Sequence, residues 1–223
     1  MQNNLLDILT KISKGNNLGE KITLVGATKT VPVEIINEAV KLGLEVVAEN
    51  RVQEFREKTE FIDKSARQHF IGHLQTNKVK YLVGKVDLIH SVDSFHLAIE
   101  IDKQAKKINA VQDVLMEVNI GGELSKSGIN PDNAIETAKE ILSLNNVNLV
   151  GLMAMLPKSD DKEYLAKLTI KMRSLLDRLK LINENIKFLS MGMSGDYEIA
   201  ISNGSNMIRL GSILFGKRNY EVK

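Results

Sequence analysis

Two hydrophobic periods alternate along this chain, and that alternation constrains its fold more than any other feature. Short apolar runs rich in β-branched residues occur at 22–28, 45–50, 68–72, 87–92, 113–119, 147–155, 187–192 and 207–212. Each reads as a strand buried on both faces, since such strands are nearly continuous in apolar character. Between the runs the spacing becomes helical. Ile36, Ala39, Val40 and Gly43 follow the first, then Val52, Phe55, Thr59 and Ile62, then Leu97, Ala98, Ile101, Ala105 and Ile108. Asn130-Pro131 opens a helix carrying Ala134, Ala138, Ile141 and Leu142, and the longest helix carries Leu165, Leu168, Met172, Leu175, Leu176 and Leu179. The segments after the third and seventh runs are shorter and weaker. Ahead of the repeat, Leu5, Ile8, Leu9 and Ile12 predict an amphipathic helix closed by Gly15 and Asn16-Asn17.

Strands that are each followed by a helix imply a parallel sheet covered by helices, and eight repeats suggest closure. The expected fold is α/β, a single (β/α)8 TIM-type barrel with an extra N-terminal helix (residues 1–17) packed on it. A barrel of this kind needs roughly 200 residues, so a chain of 223 is expected to form one domain over 1–223. A doubly wound open sheet is the structural alternative.

Composition narrows the function classes. A net charge of +2, with no basic stripe interleaved with aromatics, argues against a nucleic-acid partner. The absence of cysteine removes disulfides and thiolate metal sites. No run is long enough to cross a bilayer, and the first residues lack the charged-then-apolar pattern of a leader, so no membrane partner and a cytoplasmic location are expected.

In a barrel the loops at the carboxyl ends of the strands build the site, and polar residues gather at those ends. Lys29 follows the first run, where desolvation of its ammonium would free the amine to attack a carbonyl. The plainer alternative is a lysine that extends its head to solvent. Ser194-Gly195-Asp196 and Gly211-Ser212 follow the last two strands, where barrels often bind phosphate, although glycines there also serve tight turns. Arg209 lies inside an apolar strand and needs a partner, either a structural carboxylate such as Glu117 or a ligand. Gly122 to Ser127 is not a nucleotide phosphate loop, because Ser125 stands where a glycine must precede the lysine. Lys126 in that loop reads as solvated, with a gating role as the alternative. His69 and His73 lack a carboxylate spaced to complete a metal set, so no metal site is expected.

Several ordered segments are similar to the pyridoxal-phosphate homeostasis protein family. They are Leu24-Val25-Gly26-Ala27-Thr28-Lys29-Thr30, the stretch 43–53 with Glu49-Asn50, and Phe70-Ile71-Gly72-His73-Leu74-Gln75-Thr76-Asn77-Lys78. Gly151-Leu152-Met153-Ala154-Met155, Leu189-Ser190-Met191-Gly192-Met193-Ser194-Gly195-Asp196 and Ile208-Arg209-Leu210-Gly211-Ser212-Ile213-Leu214-Phe215-Gly216 complete the set, which spans nearly the whole chain. The resemblance implies a barrel like the N-terminal domain of alanine racemase, binding pyridoxal 5'-phosphate (PLP) as an internal aldimine. Lys29 would then be the Schiff-base lysine, Asn50 would lie beside the ring, Arg209 would face the pyridine nitrogen, and Ser194, Gly211 and Ser212 would hold the phosphate. Family members commonly carry Thr where Ser212 stands.

An arginine at the pyridine nitrogen disfavours its protonation and weakens the ring as an electron sink. Racemases of this fold add a tyrosine base from a further domain of a partner subunit. This chain is expected to lack that domain, and none of its tyrosines sits in a comparable context. The expected function is therefore intracellular PLP homeostasis without catalytic turnover, in which a monomer holds the cofactor and delivers it to PLP-dependent apoenzymes. The alternatives are a small racemase or lyase with Lys29 as sole base, and a barrel binding another phosphorylated metabolite.

Overall fold

The structure is a computed structural model that describes residues 1–123 and 126–216. Its strands are β1 (Thr23–Ala27), β2 (Val46–Glu49), β3 (Arg67–Phe70), β4 (Leu88–Val92), β5 (Gln112–Glu117), β6 (Val147–Met153), β7 (Phe188–Ser190) and β8 (Met207–Leu210). They pair in chain order, all parallel, and β8 closes on β1 with Arg209 opposite Val25. This is the closed (β/α)8 barrel that the alternation predicts, and the open sheet is ruled out.

The helices are α1 (Gln2–Ile12), α2 (Val33–Lys41), α3 (Val52–Lys58), α4 (Phe95–Lys107), α5 (Ala134–Leu142), α6 (Lys162–Lys180), α7 (Tyr197–Ser202) and α8 (Ser212–Phe215). After β3 the chain makes only a 3₁₀ turn, Thr76–Tyr81, and after β7 only the short α7, as the weak periodicity there foretells. Asn130 caps a 3₁₀ turn, Pro131–Asn133, that leads into α5. Among the described residues no helix is long and apolar enough to cross a membrane.

Alternation along the strands separates two apolar layers. Leu24 and Val47 face outward and pack with Leu5, Ile8 and Ile12 of α1 and Ile36 of α2. Val25, Val46, Ala48, Leu88, Leu115 and Met207 face each other inside the barrel. Helix α1 is also tied to α8 by Asn4 Nδ2, which donates to the Ile213 carbonyl at 2.8 Å.

Most strands are shorter than their apolar runs. Residues 211–212 leave β8 for α8, and 154–155 and 191–192 lie beyond β6 and β7, although Ala154 and Met191 are fully buried and their N–H groups still donate to the Ser190 and Met207 carbonyls. A run of apolar residues reports burial, and burial continues past the ends of the regular strands.

Candidate ligand site at the barrel mouth

Lys29 lies two residues beyond β1 and is half-buried. It lines a cavity of about 460 Å³ with Ala27, Thr30, Pro32, Gly211 and Ser212. The peptide units around it are clamped. The Thr28 hydroxyl donates to Glu49 Oε1 at 2.7 Å and to the Ala48 carbonyl at 3.1 Å. Lys58 Nζ donates to the Thr28 carbonyl at 3.0 Å, Glu49 Oε1 at 2.8 Å and Glu54 Oε2 at 3.1 Å. Thr30 has φ +63°, uncommon for a β-branched residue, and its N–H donates to Glu54 Oε2 at 2.7 Å.

Burial raises the pKa of Glu49, with Lys58 and Thr28 opposing it. Burial also acts to raise Glu54, but the Thr30 N–H and Lys58 outweigh it and hold that carboxyl low. Glu49 Oε2 is buried and makes no hydrogen bond among the described residues.

Arg209 is 6% exposed. Its Nη1 donates to the Ser190 carbonyl at 2.8 Å and to Ser190 Oγ at 2.7 Å, and its Nη2 donates to the Ala154 carbonyl at 3.1 Å. The carboxylate partner considered from the sequence is not used: among the described residues Arg209 forms no ion pair within 4.0 Å. Strand β7 lies directly beside β8 and supplies neutral acceptors at close range, whereas Glu117 acts only through its field. Burial lowers Arg209 to about 10, and Glu117 and Asp196 act in the opposite sense.

The two glycine-bearing turns meet. Ser212 Oγ donates to Ser194 Oγ at 3.1 Å, which joins the β7–α7 loop to the start of α8. A Cβ at Gly211 would stand 3.3 Å from the Ala27 carbonyl oxygen, so this turn lies tight against the end of β1. Gly192 has φ +101°, and a Cβ there would reach 2.9 Å from Ala200 Cβ and Tyr197 Cα. Only glycine can fold that loop back over α7.

The sequence-derived residues therefore divide. Lys29, Gly211 and Ser212 share one cavity, Ser194 reaches it through Ser212, and Arg209 lies in the barrel interior two residues before Gly211. Asn50 instead lines a separate cavity of about 640 Å³ with Arg51, Arg56, His73, Lys78 and Tyr81, and its buried Oδ1 has no hydrogen-bond partner among the described residues. Lys126 pairs with Glu123 and donates to the Leu156 carbonyl at 3.3 Å. Leu124 and Ser125 of its loop lie outside the described residues, as does Tyr220. His69 is buried against His90, while His73 is exposed beside Asp93 at 3.2 Å.

Sequence reasoning missed Thr28, Glu49, Glu54 and Lys58 as the clamp around Lys29. The readable signal was Glu49 closing an otherwise apolar strand, which demands a cation nearby.

Residues 20–219 match the family model for the alanine racemase N-terminal domain. A pyridoxal phosphate homeostasis protein of Aquifex aeolicus is 49% identical over 212 residues, covering 94% of this chain and 92% of that protein. Among solved structures, a protein of unknown function from Bifidobacterium adolescentis superposes with a TM-score of 0.91 at 32% identity, over 96% of this chain and 94% of that one. PipY of Synechococcus elongatus, solved with PLP bound, gives 0.86 at 28% identity over 96% and 99% of the two chains. An alanine racemase of Clostridium difficile, at 17% identity and a TM-score of 0.81, shares the fold and covers 99% of this chain and 60% of its own. With a near-full-length relative at this identity and a barrel built to the same plan, the chain belongs to the pyridoxal phosphate homeostasis protein family.

Proposed function

We propose that this protein binds PLP at the barrel mouth and serves intracellular PLP homeostasis, holding the cofactor and releasing it to PLP-dependent apoenzymes. The observation that carries this reading is the cavity Lys29 shares with Gly211 and Ser212, which joins an amine to a hydroxyl-bearing turn. Its volume falls in the range of small-molecule sites. The residues present fit the group. Lys29 Nζ would be the nucleophile for the aldehyde carbon, Ser194, Ser212 and the Gly211 backbone would hold the phosphate, and Arg209 would face the ring nitrogen, whereas Asn50, just after β2, would flank the ring only from the neighbouring cavity it lines. The PipY neighbour, solved with PLP bound, supports the choice of ligand.

Bound PLP would supply an electrophilic aldehyde and an electron-withdrawing ring. Arg209 lowers the second capacity, because a buried cation opposes protonation of the ring nitrogen. Among the described residues no tyrosine lines the Lys29 cavity to act as a second base. The relatives are named for homeostasis, not for a reaction. On this reading the protein is a carrier and not an enzyme, and the proposal extends to a cytoplasmic monomer of one domain with residues 1–17 packed on the barrel.

The rival reading, a small racemase or lyase with Lys29 as sole base, is tested by α-deuterium exchange. PLP-loaded protein incubated with a panel of amino acids in deuterium oxide should exchange far more slowly than about 1 per second, the low end of ordinary turnover. Exchange at or above that rate would make the protein an enzyme.

A further inference from the structure

A line of buried polar groups crosses the barrel interior behind Arg209. Arg209 Nη1 lies 2.7 Å from Ser190 Oγ, Ser190 Oγ lies 3.1 Å from His90 Nδ1, and His90 Nε2 lies 3.0 Å from His69 Nδ1. Four strands contribute, β8, β7, β4 and β3, and His69, His90, Ser190 and Arg209 are all buried.

Proton positions along this line follow from what each group can do. A guanidinium only donates, so Ser190 Oγ accepts from Arg209. If His90 Nδ1 carried a proton and also donated to Ser190 Oγ, the hydroxyl proton would have no acceptor in a fully buried site. Ser190 must therefore donate to His90 Nδ1. His90 is then the Nε2–H tautomer and donates to His69 Nδ1, which makes His69 the Nε2–H tautomer as well. Every bond in the chain runs the same way, outward from Arg209.

We propose that Ser190, His90 and His69 are positioning residues, a proton-ordered chain of neutral acceptors that holds the Arg209 cation in the barrel interior with no carboxylate of the described residues in ion-pair contact. Hydrogen bonds aligned head to tail polarise one another, so His90 strengthens Ser190 Oγ as an acceptor for Arg209. A carboxylate in the same place would also hold the arginine, but it would cancel the charge. Neutral acceptors leave that charge available to a ligand at the mouth. Both imidazoles are suited to this role: burial, with Arg67 nearby, lowers His69 to about 3, and burial, with His69 and Arg209, lowers His90 well below the ordinary value. The link from this chain to the cofactor rests on the reading that Arg209 faces the ring nitrogen; the chain itself does not.

The test uses ¹⁵N-histidine-labelled protein without added cofactor near neutral pH. The chain has four histidines, so long-range ¹H–¹⁵N correlation spectra can be assigned by single substitution. His69 and His90 should each show one protonated nitrogen at Nε2 and one bare nitrogen at Nδ1. Ser190→Ala should release His90 into a mixture of tautomers, and Ser190→Thr should restore the single form. An Nδ1–H tautomer or an imidazolium at either residue in the wild-type protein would overturn the proposal, as would a His90 tautomer unchanged by Ser190→Ala. Failure of PLP to label Lys29 would sink the cofactor reading while leaving these spectra as predicted, so the two failures are distinguishable.

Discussion

Lys58 controls the backbone on both sides of Lys29 without lining its cavity. It bonds the Thr28 carbonyl directly and reaches Thr30 through Glu54, and it is the cation nearest Glu49, whose side chain is 2% exposed. Lys58→Met should destabilise the protein by about 3 kcal/mol, the low end for breaking a buried pair from one side. The deficit should depend on pH. Burial already raises Glu49 above its ordinary 4.5, and loss of Lys58 removes the main opposing effect. A carboxyl with a raised folded pKa binds more protons folded than unfolded, so stability falls as pH rises from the unfolded to the folded value. Urea melts at about pH 8 and about pH 5 should therefore show the larger deficit at the higher pH. A deficit equal at both would mean that Glu49 is not its source. At this scale the sequence revealed residues that break a pattern: Lys29 after an apolar run, Arg209 within one, Ser194 and Ser212 beside glycines. It concealed residues that obey one. Lys58 reads as an ordinary solvated helix residue, and its partners lie on strands and loops that only the barrel brings near.

Among the elements, β6 carries a break in its ladder with β5. Val114 pairs with Leu149 while Leu115 pairs with Gly151, so Val150 is an extra residue and β6 bulges. A Cβ at Gly151 would lie 2.1 Å from the Phe188 carbonyl oxygen, which makes this glycine the condition for β7 to approach β6. Gly151→Ala should cost about 1–3 kcal/mol, as overpacking in well-packed regions does. Urea unfolding would measure it, and an unchanged midpoint would show that β7 can recede freely. The order and type of the strands were legible because β-branched apolar runs alternate with helical spacing throughout. Strand ends were not, since Ala154 and Met191, just past β6 and β7, are as deeply buried as the strand residues before them. The bulge was not legible either, because register depends on both strands of a pair.

The whole molecule is a barrel whose interior mixes apolar and polar side chains, with Arg209 opposite Val25 and His69 opposite Ala48. Val25, Val46 and Leu115 fill it with apolar side chains, and a band of polar groups, His69, His90, Glu117, Ser190 and Arg209, stands among them. That band backs the mouth where Lys29, Gly211 and Ser212 share a cavity. Closure of eight strands in chain order brings β1 beside β8, so residues about 180 positions apart become neighbours, as the closed topology of such barrels requires. The same closure leaves Asn50 on a second cavity over β2 and β3, a division that no local pattern encodes. The central claim is that this mouth anchors PLP through Lys29. It is tested most directly by incubating the protein with PLP, reducing with borohydride and mapping the labelled peptide by mass spectrometry. The account predicts label on Lys29 as the main species and its loss in Lys29→Ala. Main labelling of another lysine, or undiminished labelling of the variant, would contradict it.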